Sequence, residues 1–433
     1  MNTNRRTLLA TVAAAGIAGC SEYLPQQNRP DDSTAEPTDA ADESGEQRPD
    51  ERPENPAEYD PAFDFHDVEE WEAGGGELSV DAETHLTGEH AVRVDVAEDE
   101  AWARVERSGL DLDLRERRFN LVCQVHLSEP GGQSIDIAVE DREENELRFR
   151  ARAHKTDEET TFMPMDVGLR DRDPETAIDL SSISRVRIQS RFDEGVEGTL
   201  WLDSLDTVAL PETPLLLIQW DDGFVSQYTE GFPIQREYDV PATTFVNPEN
   251  VGDGDDRLTL DQLEELQAAG WEVGSHLLHH DNLTELDPDE QERQIVESKE
   301  WLVDRGFERG AEYFAYPYGE HDQSSYDLVG EHHALGMIGG EPGYGSPRNL
   351  PAIARSSERT FEEATEYVDL LVEWGGIGGL FWHALPEETP TGEFEEILRY
   401  VADRRDAGEL DVVTLSELEE LVEPVPAVMP WRS

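Results

Sequence analysis

Lysine and cysteine are scarce in this 433-residue chain, and each scarcity excludes a class of protein. Lys155 and Lys299 are the only lysines, and 34 basic residues stand against 99 aspartates and glutamates, which gives a net charge of -65. Such a surface repels phosphate, so we expect no binding to nucleic acid and no attachment to anionic lipid through basic patches. Cys20 and Cys123 are the only cysteines, too few for a disulfide framework or a cysteine metal site.

The acidic residues are spread over the whole chain rather than confined to one tail. One explanation is a protein adapted to molar salt, where a Debye length of about 3 Å screens the repulsion between carboxylates. The other is a protein of ordinary buffers with an acidic surface. We expect the first, and therefore a halophilic, haloarchaeal source.

The N-terminal apolar run, residues 8–18, is too short for an ordinary membrane span. It follows Arg5 and Arg6, and it ends on small residues directly before Cys20. This arrangement resembles a twin-arginine export signal joined to a lipoprotein cleavage site. We predict a signal over 1–20 and a lipid on Cys20 that anchors the chain at the extracellular face of the membrane. A buried hydrophobic helix with a chance arginine pair is the alternative.

The next two segments differ sharply in their patterning. Residues 21–60 are rich in Pro, Asp, Glu, Ser, Gln and Asn without an apolar period, which predicts a disordered acidic tether. From 61 to 210, short alternating runs of polar and apolar residues are separated by glycine-containing turns such as 74–76 and 130–132. This spacing predicts an antiparallel, jelly-roll-like β-sandwich.

The predicted sandwich loosely resembles carbohydrate-binding modules, and two roles stay open for it. Trp71, Trp102 and Trp201 could stack on sugars, as expected of a glycan-binding module. Tryptophans are more often buried, in which case the sandwich would be a structural spacer packed on the next domain.

Residues 211–425 alternate apolar strands with amphipathic helices. The run 215–220 predicts a buried strand, and 288–305 predicts a long helix that Asp287 caps. Strand–helix alternation over this length predicts a parallel (β/α) barrel. Active groups in such barrels cluster at the carboxyl ends of the strands.

Two groups of candidate metal ligands follow predicted strands. Asp221 and Asp222 come directly after 215–220 and are followed by Gly223, which permits a turn that could bring both carboxylates into one site. His276 and His280 follow the strand 271–275 at a spacing that can present two imidazoles to one ion. Neither group by itself establishes a metal site.

Two further motifs sit at strand ends. The run Tyr316-Pro317-Tyr318-Gly319 predicts a tight loop whose backbone N–H groups could face a developing oxyanion. His383 ends the apolar strand 379–383, where a general acid could lie.

The ordered set of motifs resembles the NodB-homology polysaccharide deacetylases, carbohydrate esterase family 4. The family motif Thr-Phe-Asp-Asp-Gly corresponds to 219–223, which begins Gln-Trp here. Its His-Ser/Thr-x-x-His-Pro-x-Leu motif corresponds to 276–283, with Leu277 in place of Ser/Thr and Asp281 in place of Pro. The third motif matches at 316–319 and the last at His383. The resemblance implies a distorted TIM-like barrel and metal-dependent removal of acetyl groups from an N-acetylated polysaccharide.

The resemblance also implies residue roles. Asp222, His276 and His280 would hold a divalent metal, expected to be Zn²⁺. The catalytic roles fall to Asp221 as general base, the Tyr318 backbone N–H at the oxyanion, and His383 as general acid.

The third motif lacks the arginine that orients the base in many family members, and Arg355 is the candidate replacement. The alternatives are a NodB-like hydrolase of a non-sugar C–N bond and an inactive glycan-binding lipoprotein.

Overall fold

The computed structural model describes residues 65–422, except 66–67, 87–88, 129–130, 157–160, 170–176, 194, 340–344 and 346. The predicted signal, the predicted tether and Cys20 lie outside the described residues. The described residues belong to one compact unit, which holds both assemblies of strands described below. None of the described helices is both long and apolar enough to span a bilayer.

The N-terminal part of this unit is built from antiparallel strands in two sheets. One sheet has the order β1-β4-β10-β6-β7-β9 and the other has the order β2-β3-β11-β5-β8. The strands are β1 (Glu72–Gly75), β2 (Glu77–Asp81), β3 (Ala91–Val96), β4 (Trp102–Leu112), β5 (Arg117–Leu127), β6 (Gly131–Asp141), β7 (Glu146–Thr156), β8 (Met163–Asp166), β9 (Gly168–Leu169), β10 (Ile183–Arg191) and β11 (Gly198–Ala209).

The period-two pattern of the sequence places one face of each sheet in the core. In β3, Val92 and Val94 are buried in the core, whereas Arg93 and Asp95 lie on the other face and form an ion pair. Trp71 and Trp201 are only 4% and 6% exposed, so neither presents an open ring face to solvent. The sandwich fold predicted from the alternation is confirmed.

The C-terminal part is a nearly closed parallel barrel, as predicted. Its strand order is β17-β16-β15-β14-β13-β12-β18, with β19 paired to β12, and a bridge between Ser356 and Leu380 joins the two ends. The strands are β12 (Leu215–Trp220), β13 (Thr243–Val246), β14 (Glu272–Ser275), β15 (Tyr313–Ala315), β16 (Leu335–Gly339), β17 (Ile353–Arg355), β18 (Ile377–Trp382) and β19 (Asp411–Val412).

Seven α-helices are described around this barrel. Capping boxes begin four of them, at Thr259, Asp322, Thr360 and Thr414. Asp287 accepts the Glu290 N–H at the start of the long helix, as the sequence predicts. The helices are α1 (Phe232–Glu237), α2 (Leu260–Ala268), α3 (Pro288–Val303), α4 (Gln323–His332), α5 (Phe361–Trp374), α6 (Thr391–Asp406) and α7 (Leu415–Leu421).

Strand alternation decides which side chains reach the barrel interior. Leu215 and Leu217 of β12 pack with Phe245 inside the barrel. Trp220 points the other way and packs against Phe394 of α6, with 5.2 Å between ring centroids. Side chains at odd-numbered positions of β12 therefore point into the barrel, and Asp221, which follows the strand, continues this inward parity.

Candidate active site

Asp221 and Arg355 form a buried ion pair at the carboxyl end of the barrel. Asp221 follows β12 on the inward parity, and its N–H donates to the Trp382 carbonyl at 2.9 Å, which ties it to the end of β18. Arg355, the last residue of β17, donates from Nη1 to Asp221 Oδ1 at 2.9 Å and from Nη2 to Oδ2 at 2.5 Å. The two side chains are only 2% and 3% exposed, so the bidentate contact fixes the carboxylate in a dry site.

Neighbouring groups hold this pair in place and hold Asp221 ionised. Arg355 Nη1 also donates to Gln219 Oε1 at 3.2 Å, and its guanidinium lies 4.2 Å from the Phe381 ring centroid. Burial raises the pKa of Asp221, but Arg355 and the nearby His276 and His383 lower it by more, so it lies below its ordinary value. Asp221 is thus a carboxylate that can accept a proton at neutral pH.

Asp222 turns out of the strand direction towards two histidines. Asp222 and Gly223 both adopt left-handed backbone conformations, with φ of 68° and 63°. Asp222 Oδ1 lies 3.3 Å from His276 Nε2 and 3.1 Å from His280 Nε2. One ligand atom from each residue lies within 4.8 Å of the others, a grouping that could hold a metal ion.

The chemistry of this triad fits a divalent metal. Asp222 Oδ1 is buried and forms no hydrogen bond with the described residues, although two imidazole nitrogens lie close to it. His276 Nδ1 contacts the Ala315 carbonyl at 2.7 Å, which leaves Nε2 directed at Asp222. A buried, orphaned carboxylate oxygen between two imidazoles matches the O and N donors that divalent metals such as Zn²⁺ take. The triad is therefore a candidate metal site.

His279 stands apart from the triad even though it precedes His280. Its Nδ1 lies 2.7 Å from Glu249 Oε2. His280 instead adopts a left-handed backbone conformation, with φ of 60°, and its ring lies 4.8 Å from the Tyr318 ring. The backbone turn at His280 separates the directions of the two neighbouring side chains.

The loop after β15 brings Tyr318 beside the triad. Tyr318 and Gly319 are left-handed, with φ of 62° and 68°, and the Gly319 N–H donates to the Tyr316 carbonyl at 3.0 Å. The Tyr318 side chain is 47% exposed, so it stands at the rim of the site. The loop thus has the tight form that the Pro-Tyr-Gly sequence predicts.

His383 follows β18 on the inward parity of Phe381 and is held by Glu388. His383 Nδ1 contacts Glu388 Oε1 at 2.8 Å, and the His383 backbone N–H donates to Glu388 Oε2 at 2.6 Å. Arg359 contacts the same carboxylate at 3.0 Å. Sequence reasoning missed Glu388, because a glutamate in a short acidic loop carries no pattern that distinguishes it in a chain with 99 carboxylates.

The pKa of His383 is shifted in the opposite direction to that of Asp221. Burial lowers the pKa of His383, but Glu388, Asp221 and Asp222 raise it by more, so it lies above its ordinary value. An ionised carboxylate and a protonated imidazole in one site can serve as a base and an acid.

Gln227, which sequence reasoning also missed, ties the ends of three strands together. Its Nε2 donates to the Asp221 carbonyl at 2.6 Å and to the His383 carbonyl at 3.0 Å. Thr244 of β13 donates its hydroxyl to Gln227 Oε1 at 2.7 Å. Asp221 and His383 are thereby joined through one buried side chain.

Residues 211–334 match the family model described as polysaccharide deacetylase. The predicted polysaccharide deacetylase YxkH of Bacillus subtilis (strain 168) is 29% identical over 115 residues, which cover 27% of this chain and 40% of that protein. The chain thus spans less than half the length of this curated relative. The barrel contains a NodB-homology polysaccharide deacetylase domain, of the group called carbohydrate esterase family 4.

Solved structures are similar to parts of the chain. The Streptococcus pyogenes deacetylase PplD in complex with acetate is 24% identical, with 32% of this chain and 62% of that chain covered and a TM-score of 0.31. The Xyl-CE4 domain of a multidomain xylanase from the hindgut metagenome of Trinervitermes trinervoides is 17% identical, with 51% and 96% covered and a TM-score of 0.37.

Proposed function

We propose that the barrel is a metal-dependent N-deacetylase that hydrolyses acetamido groups of an extracellular or cell-surface polysaccharide. The observation that carries this proposal is the meeting of three parts at one barrel end. These are the triad around Asp222, the Asp221–Arg355 pair, and the His383–Glu388 pair. The family match of residues 211–334 supports the substrate class.

Asp222, His276 and His280 would hold the divalent metal, which is expected to be Zn²⁺. A metal held there would supply Lewis acidity, which would polarise the amide carbonyl and lower the pKa of a water molecule. The remaining chemistry belongs to side chains and backbone of the chain itself.

Asp221 takes a proton from the attacking water, and Arg355 orients its carboxylate and keeps it ionised. The Tyr318 backbone N–H faces the carbonyl oxygen as that oxygen gains negative charge. His383 then gives a proton to the departing amine as the C–N bond breaks. Acetate and the free amine of the sugar are the products.

An acetate-release assay over a panel of N-acetylated glycans in molar salt tests the proposal. We expect release that a chelator abolishes and that added metal restores, with Asp221→Asn as the inactive control. No release by the metal-loaded protein would overturn the proposal. Release from non-sugar acetamides alone would point instead to a hydrolase of a non-sugar C–N bond.

We also propose that the chain is exported through Arg5 and Arg6 and anchored to the membrane only by a lipid on Cys20. The support is the order of arginine pair, short apolar run and cysteine in residues 1–20. Cys20→Ser should release the exported protein into the medium. Replacement of both arginines by lysine should keep it inside the cell. A Cys20→Ser protein that stays in the membrane fraction would contradict the lipid anchor.

A further inference from the structure

The connection between β16 and β17 differs from the other connections of the barrel. An α-helix joins each other pair of consecutive barrel strands, from α1 between β12 and β13 to α6 between β18 and β19. Between β16 and β17, the described residues contain only the 3-10 turn Leu350–Ala352. A strand without a preceding helix needs other contacts to fix its position.

The sandwich supplies such contacts through Asp166, the last residue of β8. The backbone N–H of Arg348 donates to Asp166 Oδ1 at 2.7 Å, and the N–H of Asn349 donates to Oδ2 at 2.9 Å. Asn120 of β5 adds a hydrogen bond to Oδ1 at 3.2 Å. Burial raises the pKa of Asp166 to about 6 even though these donors lower it. One carboxylate of the sandwich therefore anchors two consecutive amides of the barrel.

Hydrogen bonds continue from this anchor to β17. The Asn349 side chain accepts from the Tyr326 hydroxyl of α4 at 2.5 Å, and its carbonyl accepts from the Ala352 N–H at 2.9 Å. The next residues form β17, which ends on Arg355. Segment 348–352 thus connects Asp166 of the sandwich to β17, which carries the arginine that pairs with Asp221.

β17 itself is poorly able to resist displacement. It has three residues, and each of them pairs with one residue of β16, the last pair being Gly339 and Arg355. On its other side, the described backbone pairing with β18 is the bridge between Ser356 and Leu380, and the Arg355 side chain lies over the Phe381 ring of β18. Arg355 must meet Asp221 with both of its terminal nitrogens, so a small shift of this short strand would disturb both hydrogen bonds.

We propose that Asp166 is a positioning residue for the deacetylase reaction, through which the sandwich holds segment 348–352 and sets where Arg355 orients Asp221. This inference rests on the proposed function. It gives the sandwich a part in catalysis that needs no sugar bound to it.

The test measures hydrogen exchange and kinetics on the full chain. Asp166→Ala should speed exchange across 348–356, including the Ser356 amide that donates to the Gly379 carbonyl at 2.8 Å. It should lower kcat about tenfold and leave KM and metal content unchanged, because the described hydrogen bonds of Arg355 go to Asp221 and Gln219 and not to the metal triad. Asp166→Asn keeps one acceptor oxygen, so its kcat and its exchange rates should lie between those of the wild type and those of Asp166→Ala.

Gln323→Ala is the matched control, because it removes a different contact between sandwich and barrel. Gln323 Oε1 accepts the Thr161 N–H at 3.0 Å, and its Nε2 donates to Asp327, so its described hydrogen bonds do not go to segment 348–352. This variant should leave both kcat and the exchange at 353–356 unchanged. Loss of kcat in Gln323→Ala equal to that in Asp166→Ala would reduce Asp166 to a general contact of the interface and overturn the proposal.

A double variant separates positioning from general destabilisation. In an Arg355→Lys background, Asp166→Ala should cost less than about twofold further in kcat, because the two changes act on the same contact. The proposal would be overturned if the kcat losses of Asp166→Ala and Arg355→Lys multiplied in the double variant. It would also be overturned if Asp166→Ala reduced the metal content or left the exchange at 353–356 unchanged. If the wild-type chain releases no acetate from any glycan, the proposed function fails. The exchange at 353–356 then still decides whether Asp166 holds β17.

Discussion

Replacement of Glu388 by glutamine should reduce the protonated fraction of His383 at neutral pH and leave the rest of the site in place. Glu388 holds His383 by two hydrogen bonds, of 2.8 Å to Nδ1 and 2.6 Å to the backbone N–H. Glutamine has nearly the same shape and keeps one acceptor oxygen, but it loses the negative charge. The imidazolium form of His383 therefore loses its nearest stabilising charge.

The magnitude follows from the difference between charged and neutral hydrogen bonds. A hydrogen bond to a charged group contributes about 1.5–3 kcal/mol and a neutral one about 0.5–1.5 kcal/mol, so the variant loses about 1–2 kcal/mol. This corresponds to a fall in kcat of about 5–30-fold where protonation of His383 limits the rate.

The sign of the pH dependence is fixed by the raised pKa of His383. Its imidazolium stabilises the fold at pH values below its unfolded pKa, and this contribution fades as pH rises through the folded pKa. Glu388→Gln lowers the folded pKa, so the alkaline limb of the kcat profile should move to lower pH. At acidic pH both proteins carry the proton, and their rates should converge.

The assay is acetate release from an N-acetylated oligosaccharide over a range of pH, with metal content measured in parallel. Glu387→Gln is the matched control, because it removes the same charge from an exposed side chain one residue earlier. Its profile should coincide with that of the wild type. A Glu388→Gln profile with an unmoved alkaline limb, or a loss that is equal at every pH, would refute the role of Glu388 in protonating His383.

Three other outcomes are expected. Asp222→Ala should lose the metal, whereas Asp221→Asn should keep it and lose turnover, and full metal occupancy in the first variant would contradict the ligand assignment. Gly336→Ala should lower the unfolding temperature, at a cost of about 1–3 kcal/mol or more, because its Cβ would lie 2.0 Å from the Pro351 carbonyl oxygen; an unchanged melting curve would contradict that packing. With a net charge of -65, the free energy of unfolding should rise with salt concentration, and full stability in dilute buffer would contradict adaptation to salt.

Much of the site could be predicted because it follows from strand parity. Asp221 and His383 each come directly after a strand with a clear apolar pattern, at the position that points into the barrel, and His276 comes directly after β14. Once the strand is recognised, its carboxyl end places the following side chain in the site. The same reasoning gave the two sheets of the sandwich, where alternation over long strands is strong.

The remaining parts depend on contacts that leave no periodic trace. β17 is a three-residue strand, too short for a pattern, and α4 begins on polar residues and contains Gly330. Glu388 and Asp166 gain their importance from partners that are near in space. In sequence, both are members of a very large set of acidic residues.

The scarcity of basic residues makes the buried ones informative. With 34 basic against 99 acidic side chains, every cation has an excess of exposed carboxylates to pair with. Within the described part of the chain, the buried cations are Arg118 and Arg355, at 3% and 2% exposure. Arg118 donates to the carbonyls of Leu114 and Arg117 in the sandwich and to that of Trp374 in the barrel, and burial lowers its pKa to about 10.

Burial of a guanidinium costs free energy unless its N–H donors have partners. Each of these arginines is therefore at a site where its hydrogen bonds, in a fixed geometry, offset the cost of desolvation. Arg118 lies where the sandwich contacts the barrel, and Arg355 pairs with the Asp221 carboxylate. The Asp166 contacts lie just before β17, at residues 348 and 349, and the Arg118 contact lies after it, since Trp374 ends α5 between β17 and β18. The sandwich therefore contacts the barrel on either side of the segment that carries Arg355, which is the arrangement expected if it forms part of the wall that supports the site.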